Sequence, residues 1–393
     1  MSHIVFLIPT IDRVGGAERQ VLLLAHGLAE HGWRITVIAL SGTGGEQAAV
    51  LKRNGIDFLS LRMRKGLADP TGWLTLNRWM WHEKPDVLHA HLPHAAWMAR
   101  WSRLIVPVRA VVDTVHTAGT GTLGRRIGYH ISNWLTDKVT VVGSEAADAW
   151  LDAGMIPRHK VSVLPNGVDT QCWKPDSAIR AEMRERLALR DEFLWLAAGR
   201  LEAVKDFATL LRAFADLPSH ARLVIAGEGS QRSELEILVK SLGVADRVYL
   251  PGHVEDMVRW MRAADGFALS SRWEGLPMSL LEASACALPA VSTTVAGATE
   301  ILQSEQNGFL ADVGDFHSLQ VAMLRLMQLP AAEREKIGMQ ARIHVVEHYS
   351  LATVLDRWEA LYAGLLRNGT MLNAMHEVAE ISASAHDADA SAT

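Results

Sequence analysis

Along most of its length the sequence alternates short apolar runs with amphipathic stretches, and the alternation starts afresh near residue 169. In the first half the runs are Ile4–Ile8, Ile35–Leu40, Phe58–Leu61, Val87–Ala90, Ala110–Thr114 and Val139–Val142. Between the first two, residues Ala17–His31 carry Val21, Leu22, Leu24, Ala25 and Leu28 at helical spacing. A polar, Gly-rich loop is predicted over Ser41–Gln47, with a short helix Val50–Arg53 after it. Uninterrupted apolar strands separated by helices demand a parallel sheet covered on both faces. The run V-S-V-L-P-N-G-V-D, Val161–Asp169, ends in a turn, and the pattern then resumes with Leu194–Ala198, Leu223–Ala226, Val248–Leu250, Gly266–Leu269 and Ala290–Ser292. The expectation is α/β architecture with two doubly wound domains, 1–168 and 169–349, as a chain of 393 residues is too long for one ordinary core. Ligands of open parallel sheets bind beyond the carboxyl ends of the strands, so the cleft between two such sheets is the expected site. A final amphipathic stretch, Ser350–Leu366, carries Leu351, Val354, Leu355, Trp358, Leu361, Tyr362 and Leu365 on one stripe. The Ala-, Ser-, His- and Asp-rich tail, 368–393, lacks large side chains beyond Ile381, and from about residue 377 it reads as disordered.

The stretch Arg272–Ala283, R-W-E-G-L-P-M-S-L-L-E-A, passes from a loop into a helix. Pro277 suits the first helical position. The amides of Met278, Ser279 and Leu280 would then lack intrahelical acceptors. With the positive end of the helix dipole they make a docking place for an anion such as phosphate. Glu274 in the loop and Glu282 more than one turn inside the helix bracket that place, where carboxylates can accept hydrogen bonds from sugar hydroxyls. The combination suggests a nucleotide-sugar site; a solvated acidic helix end is the plainer reading. Upstream, Gly199-Arg200-Leu201 follows a strand and Lys205 comes five positions after Arg200. Two cations there would neutralise the charge that develops on a phosphate leaving group without having to move.

Glu274-x7-Glu282, set within E-G-L-P-M-S-L-L-E-A, resembles the signature of retaining glycosyltransferases of the GT-B fold, family 4. The likeness covers roughly residues 3–366 through five separated motifs in the family's order. It implies two Rossmann-like domains facing a central cleft and a last helix, 350–367, crossing back to the first domain. G-R-L-x3-K is similar to the family's diphosphate clamp, which implies that role for Gly199, Arg200 and Lys205. G-G-A-E, Gly15–Glu18, looks like its first loop and implies a backbone contact from Gly16; a plain chain reversal is the other reading. D-T-V-H-T, Asp113–Thr117, resembles the element whose histidine reaches the donor sugar, here His116. Gly227-Glu228-Gly229 begins like a dinucleotide fingerprint but lacks the third glycine, since Arg232 stands there. The resemblance makes it a turn near the nucleotide base. Glu282 is assigned to the ribose, Glu274 to hydroxyls of the donor sugar, and Glu300 in T-T-V-A-G-A-T-E to a structural role. In the family's chemistry the departing phosphate helps deprotonate the incoming hydroxyl on the same face.

His89 and His91 share one face of a strand, with His94 just beyond. They could hold zinc, could be hydrogen-bonded histidines at a strand end, or could touch the acceptor. No acidic pair stands out as the nucleophile and acid of a double displacement. No D-x-D motif calls for a metal, so the expectation is a nucleoside-diphosphate sugar donor with no obligatory cofactor. Cys172 and Cys286 are far apart in sequence, which fits a reducing compartment. Met1–Pro9 lacks a basic start and does not read as a signal peptide, and no apolar run reaches the length of a membrane span. Residues 1–169 carry 18 Lys and Arg against 14 Asp and Glu, whereas the remainder is acidic, and 8 of the 13 Trp precede residue 151. A basic, Trp-rich half beside an acidic one argues against nucleic acid as the main partner. Within it, Arg53, Arg62, Arg64, Lys65, Arg78, Arg100, Arg103, Arg109, Arg125 and Arg126 lie among Trp73, Trp79, Trp81, Trp97 and Trp101. Two readings stand: an anionic membrane face that meets a lipid-linked acceptor at the inner side of the plasma membrane, or core tryptophans with solvated arginines. The expected activity is transfer of a sugar to a saccharide or lipid-linked saccharide in polysaccharide or lipopolysaccharide synthesis. A non-catalytic sugar-nucleotide-binding scaffold and a sugar-nucleotide epimerase on the same fold are the alternatives.

Overall fold

β1, His3–Ile8, is buried along its whole length, as a strand inside a parallel sheet covered on both faces must be. In the computed structural model, which describes residues 1–12, 14–64, 69–116 and 119–367, it lies near the middle of seven strands. The others are β2 Arg34–Ala39, β3 Asp57–Ser60, β4 Val87–His91, β5 Ala110–Val115, β6 Lys138–Val141 and β7 Val161–Val163. Their order is β3-β2-β1-β4-β5-β6-β7, and every pairing is parallel. A second parallel sheet of six strands comprises β8 Phe193–Ala198, β9 Ala221–Ala226, β10 Val248–Gly252, β11 Gly266–Leu269, β12 Ala290–Thr293 and β13 Phe309–Ala311. It is ordered β10-β9-β8-β11-β12-β13. Alternation along β8 places Leu194, Leu196 and Ala198 in one apolar cluster and Phe193, Trp195 and Ala197 in another, one for each face of the sheet. Both sheets are thus doubly wound and Rossmann-like, as expected. Strand order reverses between β1 and β4 and again between β8 and β11, and a ligand crevice is expected beyond the carboxyl ends of those strands.

By its internal contacts the chain divides into two units. The first holds Met1–Val141, Ala147–Leu164 and the chain from Leu355 on; the second holds Val142–Ala146 and Pro165–Val354. The part of the final helix that belongs to the first unit, residues 355–367, buries Leu355, Trp358 and Tyr362. A Cβ on Gly27 would come within 2.4 Å of Leu355 Cδ1, so glycine there permits the approach of the first helix, Gly16–Glu30. The expected positions of Arg13, Lys65, Thr117 and the tail 368–393 lie outside the described residues.

Several local expectations are corrected. The loop predicted over Ser41–Gln47 ends early, because helix Gly45–Arg53 begins inside it. Gly44 is left-handed, at φ 78°, and the Asp12 carboxylate accepts from the Thr43 and Gly44 amides to hold that turn. Pro277 is the residue before helix Met278–Ala285, not its first residue, with an extended ψ of 106°. Of the basic residues read as lying on a membrane face or as solvated, Arg100 is neither, while Arg103 and Arg109 are ion-paired. Arg100 is fully buried, its Nε donating to Asp113 Oδ2 at 2.7 Å. Arg103 pairs with Asp137 at 2.5 Å and Arg109 with Asp86 at 3.1 Å.

Candidate functional site

In the second unit the loops at the carboxyl ends of β8, β11 and β12 are bonded into one body. The Arg272 amide donates to the Val204 carbonyl at 2.8 Å, Ser270 Oγ to the Lys205 carbonyl at 2.9 Å, and Thr293 Oγ1 to the Ser271 carbonyl at 2.7 Å. Arg272 Nε also donates to Asp206 Oδ2 at 3.0 Å. Asp206, itself left-handed at φ 47°, accepts from the Thr209 amide and caps helix Phe207–Ala215. These bonds carry the two key side chains together: Lys205 Nζ lies 2.5 Å from Glu274 Oε1, and Ser271 Oγ donates to the same oxygen at 2.6 Å. The pair is mostly shielded, with side-chain exposures of 16% and 14%, so its field is less screened than that of a surface ion pair. Arg200, one residue after Gly199 on the loop that leaves β8, is exposed.

Glycines let this loop cluster close. Gly227 has φ 148°, and a Cβ there would sit 1.8 Å from the Gly199 carbonyl oxygen. The Gly199 amide donates to the Ala226 carbonyl and the Gly227 amide to the Gly252 carbonyl. What these two residues offer a ligand is therefore close backbone approach, not an N–H donor. A Cβ on Gly297 would fall 2.1 Å from the Gly275 carbonyl oxygen and 2.6 Å from Leu276 Cα. Gly297→Ala is expected to lower stability by about 1–3 kcal/mol and to push away the loop that carries Glu274. Donor affinity should fall with it, whereas an unshifted melting midpoint would mean that the loop yields without cost.

At the start of helix Met278–Ala285 the Pro277 carbonyl accepts from the amides of Leu280 and Leu281, at 3.1 and 3.2 Å. The Leu280 amide is therefore engaged, contrary to expectation. The amides of Met278 and Ser279 precede the first helical acceptor and remain available to an anion. Glu282 is buried, at 4% exposure, one turn further in. Glu300 has the structural role expected of it: its Oε1 accepts from the amide and the hydroxyl of Ser144, at 2.7 and 2.9 Å, within the same unit.

In the first unit the carboxyl ends of β4 and β5 bring three imidazoles together. His91 Nδ1 and His116 Nε2 are 3.0 Å apart, and the rings of His89 and His91 have centroids 4.1 Å apart. One nitrogen of the His91–His116 contact donates and the other accepts, so the tautomers of His91 and His116 are coupled. His89 is held by Tyr362 Oη at 2.7 Å and Thr114 Oγ1 at 2.6 Å, the hydrogen-bonded strand-end reading. Burial lowers the pKa of all three imidazoles, that of His116 to about 4. Gly16, at the first position of its helix, presents an amide that precedes the first helical acceptor, while Glu18 Oε2 accepts from the Gly15 amide at 3.0 Å. The imidazoles predict a pH effect with a definite sign. Between the unfolded value near 6.5 and the depressed folded value, the unfolded chain binds more protons, so stability rises with pH and falls on acidification. The melting midpoint should drop as pH is lowered from 7 to 5, by up to about 1.4 kcal/mol per pH unit for each imidazole that stays neutral. A midpoint flat across that window would contradict it.

Two family models match the chain: Glycosyltransferase Family 4 over residues 14–171 and Glycosyl transferases group 1 over residues 179–344. The putative glycosyltransferase EpsD of Bacillus subtilis is 31% identical over 296 residues, covering 72% of this chain and 77% of that protein. The chain belongs to glycosyltransferase family 4. Another relative of this family-4 transferase is the UDP-Gal:alpha-D-GlcNAc-diphosphoundecaprenol alpha-1,3-galactosyltransferase of Escherichia coli, 24% identical over 317 residues, 77% of this chain and 81% of that one. Among solved structures, Anabaena HepE in complex with UDP and glucose superposes with a TM-score of 0.83 at 19% identity, over 93% of this chain and 100% of that one. That likeness establishes the GT-B fold. Within the transferase's second unit, sequence reasoning singled out Lys205 and Glu274, which the structure brings together, but not Ser271, which shares the same carboxylate oxygen. In the first unit it took Tyr362 as part of an apolar stripe and missed the hydroxyl that holds His89. A serine three residues before a site carboxylate was the available signal for the first; nothing local marks the second.

Proposed function

We propose that this family-4 transferase moves a sugar from a nucleoside-diphosphate sugar to a saccharide or lipid-linked saccharide, with retention at the anomeric carbon, in polysaccharide or lipopolysaccharide synthesis. The observation that carries the reading is the shielded Lys205–Glu274 pair, with Arg200 exposed on the loop after β8 and the Met278 and Ser279 amides at the helix start that follows Glu274. On this reading Arg200, Lys205 and the two amides take the diphosphate, Glu274 and His116 hold the donor sugar, and Glu282 holds the ribose. Gly16, Gly199 and Gly227 admit the ligand close to the backbone. As the bond from the anomeric carbon to the phosphate oxygen breaks, the acceptor oxygen bonds to the same face and its proton passes to that phosphate oxygen. The donor and lipid-linked acceptor of the Escherichia coli relative support the substrate classes. Attachment to the inner face of a membrane belongs to the same reading.

The test is a panel of UDP-, GDP- and ADP-sugars screened for thermal stabilisation, followed by proton NMR of the glycoside formed. A true donor at a hundred times its Kd should add about 2.7 kcal/mol. Product with the donor's anomeric configuration is expected. No stabilisation by any donor would favour a different function, donor converted without an acceptor would favour an epimerase, and binding without turnover a scaffold.

A further inference from the structure

We propose that helix Leu123–Ser132 and the tryptophan groove beside it form the surface on which this protein rests on an anionic phospholipid bilayer. This extends the lipid-linked acceptor reading above, and its experiment is separable from donor binding. The helix turns its apolar side chains the wrong way for a core. Leu123, Ile127, Ile131 and Trp134, spaced four, four and three apart on one face, are 70%, 53%, 51% and 65% exposed. Its opposite face buries Gly128, Tyr129 and Ser132. At Gly128 a Cβ would come within 2.1 Å of the Trp97 ring, so the helix is closely packed on Pro93–Ser102. Trp97 of that helix also lines an apolar groove of about 440 Å³, together with Trp73, Met98, Trp101, Leu104 and Ile105.

An exposed patch of this kind calls for a partner, and charge selects which one. Residues 70–82, 93–106 and 122–135, which build the patch, contain no Asp or Glu. They do contain Arg78, Arg125 and Arg126, besides the ion-paired Arg100 and Arg103. Exposed aliphatics and tryptophans flanked by arginines suit the boundary between acyl chains and anionic headgroups. Pairing of the face with a second copy would set Arg125 and Arg126 against their own like. Among the described residues no helix is long and apolar enough to cross a bilayer, so the contact is interfacial.

The experiment is co-sedimentation with vesicles of phosphatidylcholine alone and of phosphatidylcholine mixed with phosphatidylglycerol, at low salt. The wild type should bind the mixed vesicles and lose them as salt rises. Ile127→Ser/Ile131→Ser should weaken that binding roughly tenfold or more, and Arg125→Gln/Arg126→Gln about fivefold per arginine. Melting midpoint and nucleotide-sugar stabilisation should be unchanged in both variants, which separates this outcome from failure of the transferase reading. Equal vesicle binding by wild type and the isoleucine variant overturns the proposal. So does self-association that the variant abolishes in a protein that ignores vesicles.

Discussion

Replacing Lys205 by alanine should lower kcat/KM for sugar transfer by roughly 10²–10³, and replacing Arg200 should do the same. The magnitude follows from what one preorganised donor contributes to a developing anion, about 2.7–4 kcal/mol. Lys205 meets the requirement for preorganisation: Ser270 bonds its carbonyl, and Glu274 holds its ammonium in a mostly shielded place. On the proposed reading, donor binding would exchange that carboxylate for the diphosphate and turn Glu274 toward a sugar hydroxyl, so that one ion pair would serve both halves of the donor. If the cation acts chiefly as the leaving group departs, kcat falls with kcat/KM while KM changes little. The double variant should lose less than the sum of the singles if, as proposed, both cations grip the same diphosphate. Glu274→Gln is the companion variant, since it keeps the shape, removes the charge and should also lower turnover. Near-normal turnover in Lys205→Ala or Arg200→Ala would take that residue out of the mechanism.

How much of this was legible in the sequence depends on whether the deciding interaction is local. Strand identity along Ile4–Ile8 and Leu194–Ala198 follows from burial on both faces of a parallel sheet, which any uninterrupted apolar run between helices reports. The approach of Lys205 to Glu274 follows from topology, since β8 and β11 are neighbours and their carboxyl-end loops must meet. The position of Pro277 was off by one because a proline fixes φ but leaves ψ to its surroundings. The His89–Tyr362 bond spans 273 residues and could not be read locally. The ion pairs of three arginines escaped the sequence for a related reason. Composition counted Arg100, Arg103 and Arg109 as a basic face, yet each finds its carboxylate on a neighbouring strand or loop, and only tertiary structure supplies those partners. Of the basic residues that remain in that half, Arg125 and Arg126 stand on the helix whose apolar stripe is exposed.

Arg100→Met should be the most destabilising single change in the first unit. Arg100 and Asp113 are both fully buried, with the guanidinium 2.6 Å from the carboxylate. Its Nη1 also donates to Ser132 Oγ at 2.9 Å and to the Tyr129 carbonyl at 3.2 Å. Burial pushes the Asp113 carboxyl above its usual range, while Arg100 pulls it back down. Removing the cation leaves a buried carboxylate with no countercharge, a loss of about 3–5 kcal/mol, or roughly 6–20 °C in melting midpoint for a unit of this size. The double change Arg100→Met/Asp113→Leu should recover most of it, since an apolar pair of similar volume avoids the desolvation that the ion pair offsets. Acidification adds a discriminating sign. In Arg100→Met the folded carboxyl titrates further above its unfolded value near 3.9, so the native state binds the extra proton and gains stability as pH falls. The deficit relative to wild type should therefore shrink from pH 7 toward pH 5, even as the buried imidazoles lower both midpoints. A deficit below about 1 kcal/mol, or one that widens in acid, would show that Asp113 is stabilised by its polar neighbours and not by Arg100.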